Sequence, residues 1–148
     1  MLIPHVVQSE ADKVFVNIYN TQGSSVTDGD AVCWEPTSPD GVRTTQPIAA
    51  NLALFVGLVD GTIAASAYGL AQVYGYKAGG LVTNDASVTI STGATLCAIT
   101  GGDFLEVAAA GAYPTAGACG IGWVFAAEAY DSGATPVAAA KKVFIRAM

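Results

Sequence analysis

The segment VGLVDGTIAASAYGLAQVYGY, residues 56–76, decides the fold class. It is rich in β-branched and aromatic residues, which favour strands. Glycine occupies four of its positions, as it does in tight turns and in strands that pack closely. Most of its polar side chains are hydroxyls, which offer little for catalysis. The segment therefore predicts a structural scaffold: a strand, a turn that includes Gly69, and a closing strand over Val73–Tyr76.

Short strands with similar signals recur on both sides of this segment. Val14–Tyr19 predicts an N-terminal strand, and Ser87–Ile90 alternates with the period of two that is typical of a half-buried strand. Only residues 48–54 and 63–68 fit a helical turn, and neither has a clear cap. The predicted fold class is all-β, a compact β-barrel or β-sandwich with little helix.

The sequence approximately repeats itself. Residues 26–34 match residues 90–98 at an offset of 64. Val56–Val59 matches residues 121–124 at an offset of 65, and the closing strand matches the C-terminal VFIR strand at an offset of 70. We therefore expect two pseudo-repeated β-units, of about residues 25–78 and 89–148.

The length of 148 residues suits one domain with a core of its own. We predict a single β domain over residues 21–148 that contains both units, preceded by an N-terminal arm or strand over residues 1–20. Within Met1–Lys13, several apolar residues favour an arm that orders on binding a partner. The alternatives are a fraying terminus and a strand that completes the domain's own sheet.

Charge is sparse and mainly acidic. Charged residues make up 12% of the chain, against about 25% in an average protein, and the net charge is −6. The six basic residues are scattered, apart from the Lys141–Lys142 pair, so the basic stripe of a nucleic-acid-binding protein is missing. Residues 107–127 carry no charge, but Pro114 and four glycines would break a membrane helix, and we predict two strands and a turn there. We expect no nucleic-acid and no membrane partner.

The three cysteines, Cys33, Cys97 and Cys119, are odd in number and lack Cys-x-x-Cys spacing. Neither a disulfide framework nor a zinc site is indicated, and we expect small buried thiols in a protein made in a reducing cytoplasm. The first residues show no basic region followed by a long apolar run, so an export signal is not expected.

Catalytic patterns are missing from the sequence. Acid–base and nucleophilic catalysis usually need a histidine, and the only one is His5. The acidic residues next to glycine have the composition of tight turns rather than of a metal site; they are Asp28, Asp30, Asp40, Asp60 and Asp103. We expect no catalytic, cofactor-binding or metal-binding residues, no small-molecule substrate and no enzymatic activity, unless a partner supplies the missing groups.

Six apolar or amphipathic residues are candidates for an interface with a partner protein or with another subunit: Leu2, Ile3, His5, Val7, Trp34 and Trp123. The first four lie on the predicted arm. Each tryptophan fits either an exposed binding anchor or ordinary packing in the core or at a subunit interface.

The order of short motifs along the chain resembles that of the small β-rich head decoration, or cement, proteins of tailed bacteriophages. The motifs are Gly29-Asp30-x-Val32, Val56-Gly57-Leu-Val59, Ala64-Ala65, Gly69, VYGY, Gly93-Ala-x-Leu96, Gly120-Ile-Gly122-x-Val124, Ala126-Ala127, Gly133 and VFIR. The resemblance implies a homotrimer without catalytic residues that binds the major capsid protein on the capsid exterior, after synthesis in the host cytoplasm. It also implies that the protein bridges capsid subunits and stabilises the expanded shell.

Two other functions fit the same composition. A tail-tube or fibre-associated β-module of the virion would assemble as a ring or a fibre. A carbohydrate-binding module would use Trp34 or exposed tyrosines as stacking platforms.

Overall fold

Nine β-strands and one 3-10 turn form the described part of the chain in a computed structural model. The structure describes residues 12–38, 40–48, 50–84, 89–99, 105–107, 123–133, 135 and 137–147. The strands are β1 (Val14–Asn20), β2 (Ala31–Trp34), β3 (Arg43–Thr45), β4 (Phe55–Asp60), β5 (Tyr68–Thr83), β6 (Thr95–Ala98), β7 (Leu105–Val107), β8 (Val124–Ala126) and β9 (Ala139–Arg146), and the 3-10 turn is Leu52–Leu54.

The 16-residue strand β5 takes part in two closed circuits of strand pairings. Its first half pairs antiparallel with β1 and with β4, and the circuit closes through β2 and β3. In this first circuit, β1 and β3 are parallel and every other pair is antiparallel.

The second half of β5 belongs to the second circuit. It pairs antiparallel with β9 and parallel with β7, and the circuit closes through β6 and β8. The order β5–β7–β6–β8–β9 therefore has the same sequence of parallel and antiparallel pairs as β1–β3–β2–β4–β5 in the first circuit.

Each circuit has its own apolar core. The core of the first circuit contains Ile18, Val26, Val32, Val56, Val59, Ile63, Ala71 and Val73. The core of the second circuit contains Val82, Ile90, Leu96, Ala98, Val124, Ala126, Val143 and Ile145, and also Ala31, Cys33, Leu52, Phe55 and Leu58 from the first half of the chain.

Strands β2 and β4 are buried on both faces because they separate the two cores. On β2, Val32 faces the first core, while Ala31 and Cys33 face the second. Side chains alternate between the two faces of a strand, so one short run of apolar residues can serve both cores. The outer face of the first circuit is thus partly covered by the second circuit.

Most strand predictions are confirmed. The described chain is strand-rich and contains a single 3-10 turn, which lies within the predicted helical candidate at residues 48–54. The N-terminal strand is present as Val14–Asn20. Half of the predicted strand over residues 87–90 lies outside the described residues; of the other half, Thr89 is not in a strand and Ile90 forms an isolated bridge with Tyr130.

The prediction of a turn at Gly69 is wrong. Gly69 lies inside β5, and the turn comes earlier, at Ala65–Ser66, where Ser66 has a φ of 55°. A β-carbon on Gly69 would overlap the side chain of Ile63, so this glycine permits close packing rather than a turn.

The prediction of three buried thiols is also wrong for one cysteine. Cys97 is disulfide-bonded, although its side chain is buried as expected. The odd count and the missing Cys-x-x-Cys spacing gave no sign of this bond, because pairing depends on distance in the fold rather than along the chain.

Among the residues that the structure describes, no helix has the length and apolar character needed to cross a bilayer.

Candidate functional site

The outward side chains of β5 form a row that runs along both circuits. Alternation along the strand places Tyr68, Leu70, Gln72, Tyr74 and Tyr76 on one face. Tyr68 and Leu70 are exposed, Gln72 is buried, and Tyr74 and Tyr76 are half-buried. The same face of one strand is therefore solvent-exposed near its start and covered at its middle, where the two circuits meet.

A groove that we call the tyrosine groove lies at the exposed end of this row. It has a volume of about 390 Å³ and is lined by Tyr19, Asp40, Val42, Arg43 and Tyr68. The rings of Tyr19 and Tyr68 lie 4.9 Å apart at an angle of 57°, and 73% of Tyr68 is exposed. Asp40 and Arg43, which also line the groove, form an ion pair at 3.2 Å. Aromatic faces beside one ion pair suit protein contact or the stacking of a ligand.

A second patch lies on the outer face of the second circuit. Cross-strand pairing aligns Thr95 with Phe125, Phe125 with Phe144, and Phe144 with Tyr76. Directly paired residues of neighbouring strands share a face, so these four side chains form one row, which we call the outer aromatic row. Tyr74 packs against the edge of Phe144, with ring centroids 5.5 Å apart. Phe144 keeps 36% of its surface exposed, although it is a large apolar side chain.

A buried lysine holds the two circuits together at their junction. The Nζ of Lys77 lies 2.8 Å from Asp28 Oδ1 and 3.1 Å from Asp60 Oδ1, and the lysine side chain is almost fully buried. Asp28 Oδ1 also accepts a hydrogen bond from the backbone N–H of Gly61. A lysine ammonium is costly to bury unless it is paired, so these two carboxylates make its position tolerable.

The junction also contains a close backbone approach. The N–H of Leu81 donates to the carbonyl of Gly29 at 3.0 Å. Gly29 has a φ of 87°, and a β-carbon at this position would overlap the carbonyl oxygen of Gly79. Only glycine combines this backbone conformation with such close contact.

Asp28 and Asp30, two residues apart, have pKa values shifted in opposite directions. Burial acts to raise the pKa of Asp28, but the hydrogen bond from Lys77, the hydrogen bond from Gly61 N and the charge of Lys77 outweigh burial and lower it. Burial raises the pKa of Asp30, only partly offset by the hydrogen bonds that Thr27 donates. The two carboxyls should therefore affect stability oppositely as the pH falls.

We expect the variants Asp28→Asn and Asp30→Asn to show this opposite pH dependence. A lowered pKa in the folded state stabilises above the ordinary value near 3.9, and this contribution is lost as the pH falls. The stability of the natural chain relative to Asp28→Asn should therefore shrink below about pH 4, from at most about 1 kcal/mol since Asp28 is half exposed. Its stability relative to Asp30→Asn should increase on acidification. Urea unfolding of the natural chain and of both variants between pH 3 and pH 7 measures these two stability differences. If both differences changed with pH in the same direction, the opposite pKa shifts of Asp28 and Asp30 would be contradicted.

The predicted interface residues fall into two groups. Leu2, Ile3, His5 and Val7 lie outside the described residues, as does most of the predicted arm. Trp34 and Trp123 are half-buried on different cores: Trp34 packs on the first and Trp123 on the second. The ring of Trp123 stacks on Phe55, with centroids 6.0 Å apart. For the tryptophans, the geometry favours packing over an exposed anchor.

Two of the predicted turn aspartates are confirmed as such. Asp40 accepts hydrogen bonds from the backbone N–H groups of Val42 and Arg43, and Asp30 accepts from Thr27 N. Asp28 and Asp60 do more than form turns, because both bind Lys77. In the described ranges, no three histidine, cysteine, aspartate or glutamate side chains are grouped as a metal site.

Neither the outer aromatic row nor the tyrosine groove was predicted from the sequence. A signal for Phe144 was present, because Val143 and Ile145 flank it, and alternation places it on the opposite face from these two buried residues. For the groove, Tyr19 and Tyr68 are 49 positions apart, and only strand pairing brings them together.

Comparisons with known proteins give no relative. No protein-family model matches the chain, and neither a curated protein nor a solved structure matches it significantly.

Proposed function

We propose that this chain is a structural protein of a tailed-phage virion, a decoration or cement protein that binds the outside of the capsid without catalysing a reaction. It would bridge neighbouring major capsid subunits as a homotrimer and stabilise the expanded shell. The observation that carries the proposal is the presence of two outer patches with exposed aromatic side chains, the tyrosine groove and the outer aromatic row.

Two apolar surfaces on one molecule suit a protein that joins others. Clusters of exposed aromatic residues on a soluble domain typically mark protein interfaces. The acidic groups at the junction are used by Lys77, and those described in turns are used by backbone N–H groups. These groups therefore serve the scaffold, and the aromatic faces are the surfaces left for binding.

We further propose that the two circuits are small barrels derived from one duplicated unit. The two circuits have the same order of strand pairings, as described above. Gly29 N donates to Val59 O, and Gly93 N donates to Ala126 O in the same way. The bridge between Val26 and Ile63 has a counterpart between Ile90 and Tyr130.

The hydrogen bonds define the equivalence of the two units more closely than the sequence does. Val59 corresponds to Ala126, an offset of 67, whereas the sequence match placed Val59 opposite Val124. The turn residues Gly29 and Gly93 keep the offset of 64, and both have a φ of 87°. The sequence match is thus two residues out of register in β8.

We assign the capsid contact to the exposed face of the first circuit, with the tyrosine groove at its centre. A trimer presents three copies of this face, so moderate contacts add up to strong attachment, and binding only to the expanded shell stabilises that state. The predicted N-terminal arm would add to this contact.

Electron microscopy of capsids with and without the purified protein tests the proposal. We expect density on the outside of the shell and greater resistance of the decorated capsid to heat. Tyr68→Asp should lower the occupancy at least about tenfold, since a buried aromatic anchor typically contributes 1 kcal/mol or more, and buried aspartate adds a further cost. Leu70→Asp tests a neighbouring exposed residue on the same face of β5 and should have a smaller effect.

Bare capsids at saturating protein would reject the proposal. A saturable change of tyrosine fluorescence with soluble oligosaccharides, absent in Tyr68→Ala, would instead favour the carbohydrate-binding alternative, because the groove offers stacked aromatic faces beside an ion pair. Open-ended polymers would favour the tail-tube or fibre alternative.

A further inference from the structure

Equivalent rows on the two circuits differ in whether they are covered. In the first circuit, pairing aligns Ala31, Leu58 and Gln72 in one row on the outer face. All three are essentially fully buried, because the second circuit covers them. The equivalent row of the second circuit contains Thr95 and Phe125, followed by Phe144. This outer aromatic row remains partly exposed in the single chain.

The same difference is seen at the turn beside each row. Gly29 is in contact with the backbone of Gly79, and its carbonyl accepts a hydrogen bond from Leu81. Gly93 is the equivalent glycine and has the same φ of 87°, but no described atom lies within 4 Å of the position of a β-carbon there. The second circuit therefore has the same docking surface as the first, and no segment within the described ranges occupies it.

The segment that occupies the docking surface of the first circuit is part of β5, around residues 79–81. The second half of β5 has the same place in the second circuit as β1 has in the first. Residues 79–81 of β5 are thus equivalent, at an offset of 64, to residues 15–17 of β1. In the described chain, β3 pairs only with Tyr19 and Asn20 of β1, so no described strand pairs with that edge of β1 at residues 14–17. An unpaired strand edge is a ready site for another chain.

We propose that the outer aromatic row of one chain docks onto the free edge of β1 in a second copy of the same chain. This contact repeats between subunits the contact that joins the two circuits within one chain. It rests on the duplicated architecture proposed above. It also continues an existing interface, because Gln72, Tyr74 and Tyr76 follow one another on the same face of β5, and Gln72 Nε2 donates to the carbonyls of both tyrosines.

A contact between two different surfaces of the same chain is head-to-tail. Such a contact closes into a ring when the rotation allows it. A ring of three chains contains six equivalent units in alternating order, which agrees with the trimer proposed above.

Two variants test the contact in solution by light scattering after size-exclusion chromatography. We expect Phe144→Asp to convert the oligomer into monomer. The dissociation constant of the contact between subunits should rise at least about 30-fold, as it does when an aromatic hot spot is removed. Tyr68→Asp is the matched control, because Tyr68 is also an exposed aromatic on an outer face but lies outside the row, and it should leave the oligomer intact. Equal thermal melting of both variants at low concentration shows that each monomer folds.

Cross-linking tests the register. In the chain, a β-carbon on Gly79 would lie 3.6 Å from Asp28 Oδ2. The equivalent residues are Phe15 and Thr92, so the double variant Phe15→Cys, Thr92→Cys should form a disulfide between chains. On a non-reducing gel we expect a ladder that ends at the trimer and collapses on reduction, and no ladder from either single variant.

A monomeric natural chain, an oligomer that survives Phe144→Asp, or a double variant that fails to cross-link between chains would overturn the inference. The outcome is separable from that of the proposed function. An oligomer with these properties that leaves capsids bare would support this contact and reject decoration. Capsid binding by a protein that is monomeric in solution would support decoration and reject this contact.

Discussion

Replacing Gly29 by alanine should lower the free energy of unfolding by about 3 kcal/mol. The positive φ of Gly29 costs an L-residue about 1–2 kcal/mol. In addition, the new methyl group would overlap the Gly79 carbonyl, and overpacking of this kind typically costs about 1–3 kcal/mol. Backbone atoms cannot rotate away as a flexible side chain would, so the two circuits must move apart at their junction. Urea unfolding followed by tryptophan fluorescence measures the change.

Gly41→Ala is the matched control for this effect. Gly41 also has a positive φ, of 75°, but no atom of the described residues lies within 4 Å of the position of its β-carbon. Only the conformational cost applies, so we expect about 1 kcal/mol. The difference between the two variants isolates the contact between Gly29 and Gly79. Equal losses would mean that the circuits do not approach each other closely in solution.

Leu58→Ala should destabilise the protein by about 3 kcal/mol, within the usual range of about 2–5 kcal/mol for such a truncation in a core. Leu58 has no exposed surface, and it belongs to the core of the second circuit although it lies on a strand of the first. One of its methyl groups reaches the space beside Gly80, where the missing side chain leaves room for it. The truncation therefore opens a cavity where the two circuits meet.

Leu54→Ala serves as the control for Leu58→Ala, because Leu54 is 39% exposed and lies just before the same strand. Its removal should change the stability by less than about 1 kcal/mol. Chemical denaturation of both variants under identical conditions gives the comparison. A small effect of Leu58→Ala would show that the outer face of β4 is not packed against the second circuit.

The sequence predicted the strands that have a clear local signal. The apolar alternation of Val14–Asn20 and the glycines of the turns depend on neighbouring residues, so short windows of sequence reveal them. The prediction at Gly69 failed because glycine is used both for turns and for close packing, and composition does not separate these uses. Here Ile63, on another segment, determines which use applies.

The candidate surfaces were less predictable than the strands. Trp34 and Trp123 were candidates because of their residue type, yet both pack on the cores. Phe144 and Tyr68 have the same aromatic character and lie outside. Whether an aromatic side chain on a strand is covered depends on what packs over that face, which is a property of distant segments.

By itself, the sequence determined that the chain is strand-rich and has the charge pattern and turn residues of a β scaffold, because these properties follow from residue type and local alternation. Only the tertiary structure decided that one long strand, β5, takes part in both circuits and that the outer row of the first circuit is buried while that of the second is partly exposed. The physical reason is that strand pairing and face burial join residues far apart in the chain. Their energy depends on which surfaces meet, and no local window of sequence contains that information.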